Sequence, residues 1–396
     1  MEFFYRCAVC ERTYDISPRV MLCPQCSQVQ QDGRPQRGVL DTVLNAERGR
    51  YTVEELSGGH PPWSRLLPVE ARYFPDVPMG PTPLWAPARL REALGMPNLF
   101  LKDDTVLPTG SLKDRASLLV AAFARRHGVM EIVVASTGNA ACSMAGIGAA
   151  AGIRVTIFLP GTAPRAKLVQ ALQYGARVVT VEGDYDAAYA ASLEHLSAKS
   201  LSRNTGYNPL TIEGKKTVML EVYGQLGRMP DAVFVPTGDG VILGGVYKGC
   251  EDLVQLGLAD AVPKVYAIQA EGSNAISRAL RDGSFAPAGH RAPTLADSIA
   301  VRAPANGHGA VRRLVQHGGE CVEVSDEAIL AAQRELSSRT GLFAEPAAAA
   351  PLAGLHAVRE TTGSDAVVVL LITGTGLKDV ESAARGLPLP PRPEGA

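Results

Sequence analysis

Short apolar segments that alternate with longer, helix-like segments restrict most strongly how this chain can fold. Strands that are apolar on both faces and separated by helices belong to a parallel sheet with helices on both sides. The sequence therefore predicts an α/β protein with doubly wound sheets. The segments that read as buried strands are Glu131–Ala135, Arg154–Leu159, Ala176–Val181, Ala232–Pro236, Lys264–Gln269 and Ala366–Ile372.

Polar loops that follow these strands predict a ligand cleft between two α/β units. The loops at 136–141, 237–245 and 373–376 are polar and contain glycine. In sheets of this kind ligands bind beyond the carboxyl ends of the strands. We expect a large unit, a small unit and a loose proline-rich tail, whose predicted bounds are 46–101 with 201–386, 102–200, and 387–396.

The charge balance excludes several classes of partner. The chain has 39 basic and 40 acidic residues and a net charge of -1. This is not the strongly basic composition of proteins that bind nucleic acid or anionic membranes. The sequence has neither an apolar run long enough to span a bilayer nor a basic-then-apolar N-terminal signal. We therefore expect a cytoplasmic protein that acts on a small molecule.

Four of the seven cysteines form two pairs near the start of the chain. Cys7 and Cys10 form one C-x-x-C pair, and Cys23 and Cys26 form the other. Two such knuckles complete a tetrahedral site for structural zinc, which would stabilise a segment too short to bury much core. We predict a zinc-ribbon-like segment over residues 1–45. Reduced thiols without metal, or a redox-active pair, are the alternatives.

Lys113 stands between a turn, at residues 108–111, and an apolar run that reads as a helix. This places its amine near a helix N-terminus, where unpaired N–H groups make the potential positive and a lysine is disfavoured. The plain alternative is a surface lysine paired with Asp114. The residues that surround Lys113 in the fold determine whether it is a functional lysine or a surface lysine.

The loop after the strand Ala232–Pro236 predicts an anion site. Gly238, Asp239 and Gly240 precede an apolar helical start, so their N–H groups form a nest suited to phosphate. The spacing is neither that of a dinucleotide-binding loop nor that of a Walker A loop, which favours a smaller cofactor.

A phosphate nest, a lysine that needs a lowered pKa to react and the polar loop 136–141 together indicate an aldehyde cofactor that is held by the lysine. Pyridoxal 5'-phosphate is such a cofactor. In this interpretation Asn139 hydrogen-bonds the ring oxygen and Thr373 contacts the ring nitrogen.

Six segments, in order, resemble motifs of the threonine synthases, which are fold-type II pyridoxal-phosphate enzymes. The resemblance covers nearly all of the chain after residue 60, and some threonine synthases also have a zinc-ribbon-like N-terminus. It implies a tryptophan synthase β-like fold, with two doubly wound α/β domains and the cofactor in the cleft between them, and a homodimer. The matching segments are G-x-T-P-L at 80–84, P-T-G-S-x-K-D-R at 108–115, S-T-G-N at 136–139, N-P-x-x-x-E-G-x-K-T at 208–217, G-x-F-x-E-P-A at 341–347 and T-G-x-G-L-K-D at 373–379.

The resemblance also implies roles for individual residues. Lys113 would form the Schiff base and act as the general base at the substrate's Cα. The implied activity is that of a lyase that converts O-phospho-L-homoserine and water to L-threonine and phosphate. The implied cofactor-binding residues are Lys113, Asn139, Gly238, Asp239, Gly240, Val241, Ile242 and Thr373, and the implied substrate-binding residues are Ser111, Ser136, Thr137, Gly138 and Lys216.

Two departures from the family pattern bear on the substrate. The phosphate loop of typical threonine synthases resembles G-N-x-G-N, whereas residues 238–242 read Gly-Asp-Gly-Val-Ile. Backbone N–H groups still suit phosphate, so we expect Asp239 to point away from it or to bind a cation. Ala140 and Ala141 place no hydroxyl after Asn139.

Three other functions therefore stay open. They are β-replacement on O-phosphoserine, as in a cysteate synthase; β-elimination, as in a threonine or serine dehydratase; and an inactive zinc-ribbon interaction module.

Overall fold

The computed structural model describes residues 1–161, 165–287, 289, 292–385 and 387, without the side chains of residues 165–167. Three sheets organise this part of the chain. The first, here called the N-terminal sheet, is antiparallel and is formed by Thr13–Tyr14, Glu2–Cys7 and Leu40–Asn45, in that spatial order. It places the start of the chain beside residues 40–45.

The large sheet has six strands and the small sheet has four. All neighbouring strands are parallel except the short edge strand Leu84–Trp85. The large sheet follows the order Glu320–Val324, Lys264–Ala270, Ala232–Pro236, Val368–Ile372, Leu99–Asp103, Leu84–Trp85. The small sheet follows the order Arg177–Val181, Arg154–Pro160, Glu131–Ala135, Ser200–Ser202.

Helices cover both faces of the large sheet because its strands are apolar on both faces. Phe234 and Leu370 pack in one buried cluster with the helix Pro346–Ala357, whereas Val235 and Leu371 pack in another with the helix Val241–Gln255. Alternate residues of one strand point to opposite faces, so each strand contributes to both clusters. This arrangement confirms the predicted doubly wound α/β fold.

The remaining helices follow the strands in the order expected of repeated strand-helix units. They are Val53–Ser57, Ala88–Leu94, Lys113–Arg126, Asn139–Ala151, Arg165–Gln173, Tyr185–Glu194, Leu210–Glu213, Thr217–Leu226, Ala275–Asp282, Gly307–Gln316, Asp326–Thr340, Arg359–Thr362 and Val380–Ala383. Within the described ranges, none of the helices is both long and apolar enough to cross a membrane.

The predicted division into units remains a prediction, and two strands cross its bounds. Leu99–Asp103 continues past residue 101 within the large sheet, and Ser200–Ser202 extends the small sheet past residue 200. The predicted tail lies outside the described residues except for Leu387.

Candidate active site

Backbone pairing brings Lys113 next to Thr373. The Leu112 N–H donates to the Thr373 carbonyl at 2.8 Å, and a β-bridge joins Ser111 to Gly374. Gly110 has a φ of +83°, a conformation that glycine adopts easily, and a Cβ there would lie 2.9 Å from the Thr375 side chain. The turn before Lys113 is therefore fastened to the end of the strand Val368–Ile372.

The side chain of Lys113 is not paired with Asp114. Asp114 is buried and accepts hydrogen bonds from the Thr109 N–H at 2.7 Å and from the Thr109 hydroxyl at 2.5 Å. It therefore fixes the turn at residues 109–114. Burial lowers the pKa of Lys113, although the negative charge of Asp239 acts in the opposite direction. The lowered pKa agrees with the sequence prediction.

A small cavity contains Lys113 and the two residues predicted to contact the cofactor ring. Asn139 and Thr373 line it with Lys113, and Leu112 and Ile242 form part of its apolar wall. The three loops meet here because they follow the carboxyl ends of strands in two neighbouring sheets. The grouping has the composition that a flat ring with polar edges requires.

Glu345 lines the cavity, although it was not among the predicted site residues. The Asn139 amide donates to both of its carboxylate oxygens at 3.0 Å and to the Ser298 hydroxyl at 3.2 Å. Burial raises the pKa of Glu345. Its position within the matched segment 341–347 was the signal available in the sequence.

The predicted phosphate loop is rigidly held. Gly240 has a φ of +76°, and Asn306 donates to the carbonyls of Asp239 and Gly240 at 2.8 and 3.0 Å. A Cβ on Gly238 would lie 2.8 Å from the Ile299 Cα. The loop therefore depends on glycine both for its turn and for close packing.

The loop retains donors for a phosphate even though it contains an aspartate. The Asp239 carboxylate accepts from the Val241 N–H at 2.9 Å, so the side chain folds back on its own loop. The N–H groups of Gly238, Gly240 and Ile242 have no acceptor within the described part of the chain. Free N–H groups at the start of the helix Val241–Gln255 fit a cofactor phosphate.

Two buried cations near Lys113 were missed by the sequence analysis. Arg203 donates to the Ser117 and Thr205 hydroxyls, but its Nη2 has no partner among the described residues. Lys215 donates to the Thr211 carbonyl at 3.1 Å. Both side chains are fully buried.

Electrostatics link these two cations to the site. Burial lowers the pKa of Arg203 to about 10, and burial together with the charge of Lys113 lowers the pKa of Lys215 well below its ordinary value. The charge of Asp239 acts on both in the opposite direction. Buried cations without a full set of partners are costly, so an anion bound beside them would stabilise the site.

The predicted substrate-binding residues are only partly brought together. The Ser111 hydroxyl is buried and has no partner among the described residues. Ser136, Thr137 and Gly138 form the loop before the helix Asn139–Ala151, and the Gly138 N–H donates to the Ser136 hydroxyl at 3.2 Å.

Lys216 is not brought to the cavity. Its amine donates to Glu213 and to Asp252 within a buried ion-pair cluster, and it lies 5.7 Å from the ring centre of Phe3. It therefore faces the N-terminal sheet, while the preceding lysine, Lys215, is close enough to Lys113 for their charges to interact.

The four N-terminal cysteines converge as a candidate metal site. The sulfur atoms of Cys7, Cys10, Cys23 and Cys26 all lie within 4.8 Å of one another. Four thiolates from two knuckles suit a tetrahedral metal ion.

Comparison with known proteins agrees with this geometry. The family model described as "Pyridoxal-phosphate dependent enzyme" matches residues 76–374. The threonine synthase of Methanosarcina acetivorans is 34% identical over 388 residues, which cover 96% of this chain and 93% of that protein. The threonine synthase of Methanocaldococcus jannaschii is 32% identical and covers 96% of this chain and 94% of its own length.

Solved structures of similar fold include one above and one below 25% identity. A threonine deaminase from T.th. has a TM-score of 0.63 and 26% identity, and covers 74% of this chain and 92% of its own. Maize serine racemase has a TM-score of 0.65 and 20% identity, covers 74% of this chain and 88% of its own, and supports the fold alone. The two threonine synthases align with more of this chain, and at higher identity, than these two solved structures do. The chain therefore belongs to the pyridoxal-phosphate dependent enzymes and, within them, to the threonine synthase family.

Proposed function

We propose that this chain converts O-phospho-L-homoserine and water to L-threonine and phosphate. Relatives that match nearly the whole chain are threonine synthases. The observation that carries the proposal is the pair of buried, incompletely partnered cations, Arg203 and Lys215, whose charges reach Lys113. A substrate that carries its own phosphate supplies the anion that these cations require.

The described residues fit pyridoxal 5'-phosphate. Backbone N–H groups of residues 238–242 would hold the phosphate, Asn139 the ring oxygen and Thr373 the ring nitrogen, and Lys113 would bind the aldehyde. When bound, the cofactor supplies a ring that accepts electron density from the carbons next to the substrate's amino group. Thr373 is neutral, so it does not hold a proton on the ring nitrogen as a carboxylate would.

Lys113 is proposed to move the proton at the substrate's Cα. Its lowered pKa means that the free amine is present at a lower pH than for an ordinary lysine. The apolar walls formed by Leu112, Ile242 and Ile299 limit the access of water to this amine.

Arg203 and Lys215 are proposed to bind the substrate phosphate, together with the unpaired hydroxyl of Ser111. Negative charge grows on the phosphate oxygen as its bond to carbon breaks. A phosphate bound beside Arg203 and Lys215 favours the protonated form of Lys215, and the two positive charges then stabilise the departing phosphate. Lys215 thus takes the role that the sequence analysis assigned to Lys216, and Ser136, Thr137 and Gly138 remain the proposed site for the substrate carboxylate.

The four cysteines are proposed to hold Zn²⁺ in a structural role. Four thiolates leave no open coordination position, so this site takes no part in the reaction. We also propose a cytoplasmic homodimer; the homodimer rests on the resemblance to threonine synthases alone. Metal analysis of the wild type against Cys7→Ser tests the first proposal, and the mass of the holoenzyme tests the oligomeric state.

Phosphate release from O-phospho-L-homoserine tests the proposed activity. Arg203→Met should lower kcat/KM about a hundredfold or more, because a buried charge partner of the substrate is lost. The exposed Arg154→Met is the matched control and should change it little. Release of phosphate from O-phosphoserine without sulfite would instead support a β-elimination enzyme. Release only when sulfite is present would support a β-replacement enzyme.

A further inference from the structure

Val39 connects the cysteine-bearing segment to the proposed cofactor site. It packs in a separate buried cluster with Ile212 and Val241, and all three side chains are almost completely shielded from solvent. The three residues come from different parts of the chain. Val39 precedes the last strand of the N-terminal sheet, Ile212 precedes Lys215 by three residues, and Val241 begins the helix of the phosphate loop.

The cysteine knuckles hold Val39 in place from one side. The Cys23 N–H donates to the Gly38 carbonyl at 2.8 Å, and the Ala8 N–H, next to Cys7, donates to the Val39 carbonyl at 3.1 Å. Gly38 has a φ of +77°, and a Cβ there would lie 3.0 Å from the Ser27 N. Both knuckles therefore determine the position of Val39.

On the other side, Val39 contacts residues whose positions matter for phosphate. The Val241 N–H donates to the Asp239 carboxylate, and this bond closes the loop that presents the free N–H groups. Ile212 belongs to the helix Leu210–Glu213, whose Thr211 carbonyl accepts from the amine of Lys215. Apolar contacts in a close-packed interior transmit displacements, because little free volume absorbs them.

We propose that Val39 is a positioning residue for the cofactor phosphate, and that the state of the four-cysteine site controls cofactor affinity through it. A metal bound by the cysteines fixes both knuckles, and the knuckles fix Val39 against the start of the helix Val241–Gln255. The inference rests on the proposed function only in placing the cofactor phosphate at residues 238–242. It assigns to the N-terminal segment a role in the cofactor site.

The first test measures the dissociation constant of pyridoxal 5'-phosphate for the full-length protein after removal of bound cofactor. Val39→Ala should weaken binding about fivefold to tenfold, since the cavity left by two methyl groups loosens the helix start. Val43→Ala, a half-buried valine four residues further on, is the matched control and should bind as the wild type does. Val39→Ile, which keeps the contact, should retain most of the affinity.

Metal content is measured for each variant, so a fold defect is recognised. If Val39→Ala keeps its metal and binds the cofactor as tightly as Val43→Ala does, the proposal is wrong. If Val39→Ala loses its metal, the affinity of Val39→Ile for the cofactor decides. Tight binding by Val39→Ile supports the proposal. If Val39→Ile binds the cofactor as weakly as metal-free Val43→Ala does, the proposal is wrong.

The second test removes the metal with a chelator and repeats the titration without substrate. The wild type should lose affinity several-fold, and Val39→Ala should lose little more than it already has, since both changes act on one contact. Equal further losses of cofactor affinity in both proteins would contradict the proposed link between the four-cysteine site and Val39. Because no substrate is present, a failure of the proposed threonine synthase activity leaves this result interpretable.

Discussion

At the scale of single residues, the charges around Lys113 determine when its amine is free. Burial lowers its pKa, the positive charge of Arg203 acts in the same direction, and the negative charges of Asp239 and Glu345 oppose it. Asp239 thus has two effects: it caps the Val241 N–H and it favours the protonated form of Lys113.

Asp239→Asn should lower the pKa of Lys113 further. The asparagine side-chain oxygen can accept the same hydrogen bond from the Val241 N–H, so the loop is kept while the negative charge is lost. The free amine then persists to lower pH, and the pH midpoint for cofactor capture by the cofactor-free protein should shift downward. The exposed Asp260→Asn is the control and should leave the midpoint unchanged. An upward shift in Asp239→Asn would contradict this assignment of charges.

Lys215 and Lys216 show why sequence alone does not assign every site residue. The matched motif pointed to Lys216, but Lys215 and Lys216 lie on a 3-10 turn, where neighbouring residues point about 120° apart. Only the packed structure shows that Lys215 is close enough to Lys113 for their charges to interact, whereas Lys216 pairs with Glu213 and Asp252. Arg203 was missed for a related reason: its importance comes from complete burial without full partners, and no pattern in the sequence reports that.

At the scale of elements, a buried ion-pair cluster joins residues 213–216 to the helix Val241–Gln255. Lys216 donates to Glu213 and Asp252, and Lys248 also pairs with Asp252. The helix Val241–Gln255 supplies Lys248 and Asp252, so the cluster supports the element that begins at the phosphate loop.

Lys216→Met should therefore reduce stability more than activity. Removing this cation leaves the buried Glu213 carboxylate without its ion-pair partner, while Asp252 keeps Lys248, and the unpaired charge costs about 3–5 kcal/mol of unfolding free energy. Denaturant unfolding measures this loss, and phosphate release per folded molecule should stay within a few-fold of the wild type. The exposed Lys199→Met should change neither quantity. A large loss of kcat with unchanged stability would restore Lys216 to the substrate site.

The phosphate loop makes a second prediction at this scale. Gly238→Ala places a Cβ 2.8 Å from the Ile299 Cα, so the loop or its neighbour must move. Cofactor binding should weaken at least tenfold, since a displaced loop misplaces several N–H donors. In Gly58→Ala the nearest atom to the new Cβ is 3.9 Å away, and titration should show unchanged affinity. Equal affinities in the two variants would contradict the placement of phosphate at this loop.

Strand prediction succeeded where apolar runs are long and failed where they are short. The segments Glu131–Ala135 and Ala232–Pro236 have the predicted bounds, and the other predicted strands differ by one or two residues at an end. Leu84–Trp85 and Ser200–Ser202 are too short to show a pattern. Glu320–Val324 reads Glu-Cys-Val-Glu-Val and lies at the sheet edge, so its two glutamates interrupt the apolar run that marks a buried strand.

At the scale of the whole molecule, the N-terminal segment packs against the helices Thr217–Leu226 and Val241–Gln255. Leu44 shares a buried cluster with Leu220, Tyr223 and Leu253. Arg312, from the helix Gly307–Gln316, pairs with Asp41 at 2.7 Å. The segment thus covers apolar surface that would otherwise face water.

Deletion of residues 1–45 should therefore destabilise the protein and not merely remove a metal site. The exposed apolar cluster and the lost charge pairs cost several kcal/mol, on the order of two large core truncations. Thermal unfolding should show a lower Tm for the deletion than for the full chain stripped of metal. An unchanged Tm would mean that the segment does not stabilise the rest of the protein.

The central claim is that Lys113 and the cations beside it act on a phosphorylated amino acid. Phosphate release from O-phospho-L-homoserine, measured for the cofactor-loaded wild type and for Lys113→Ala, tests it most directly. We expect steady phosphate release by the wild type, together with the visible absorbance of lysine-bound cofactor, and the loss of both in Lys113→Ala. A wild type that binds the cofactor but releases no phosphate from this substrate would contradict the claim.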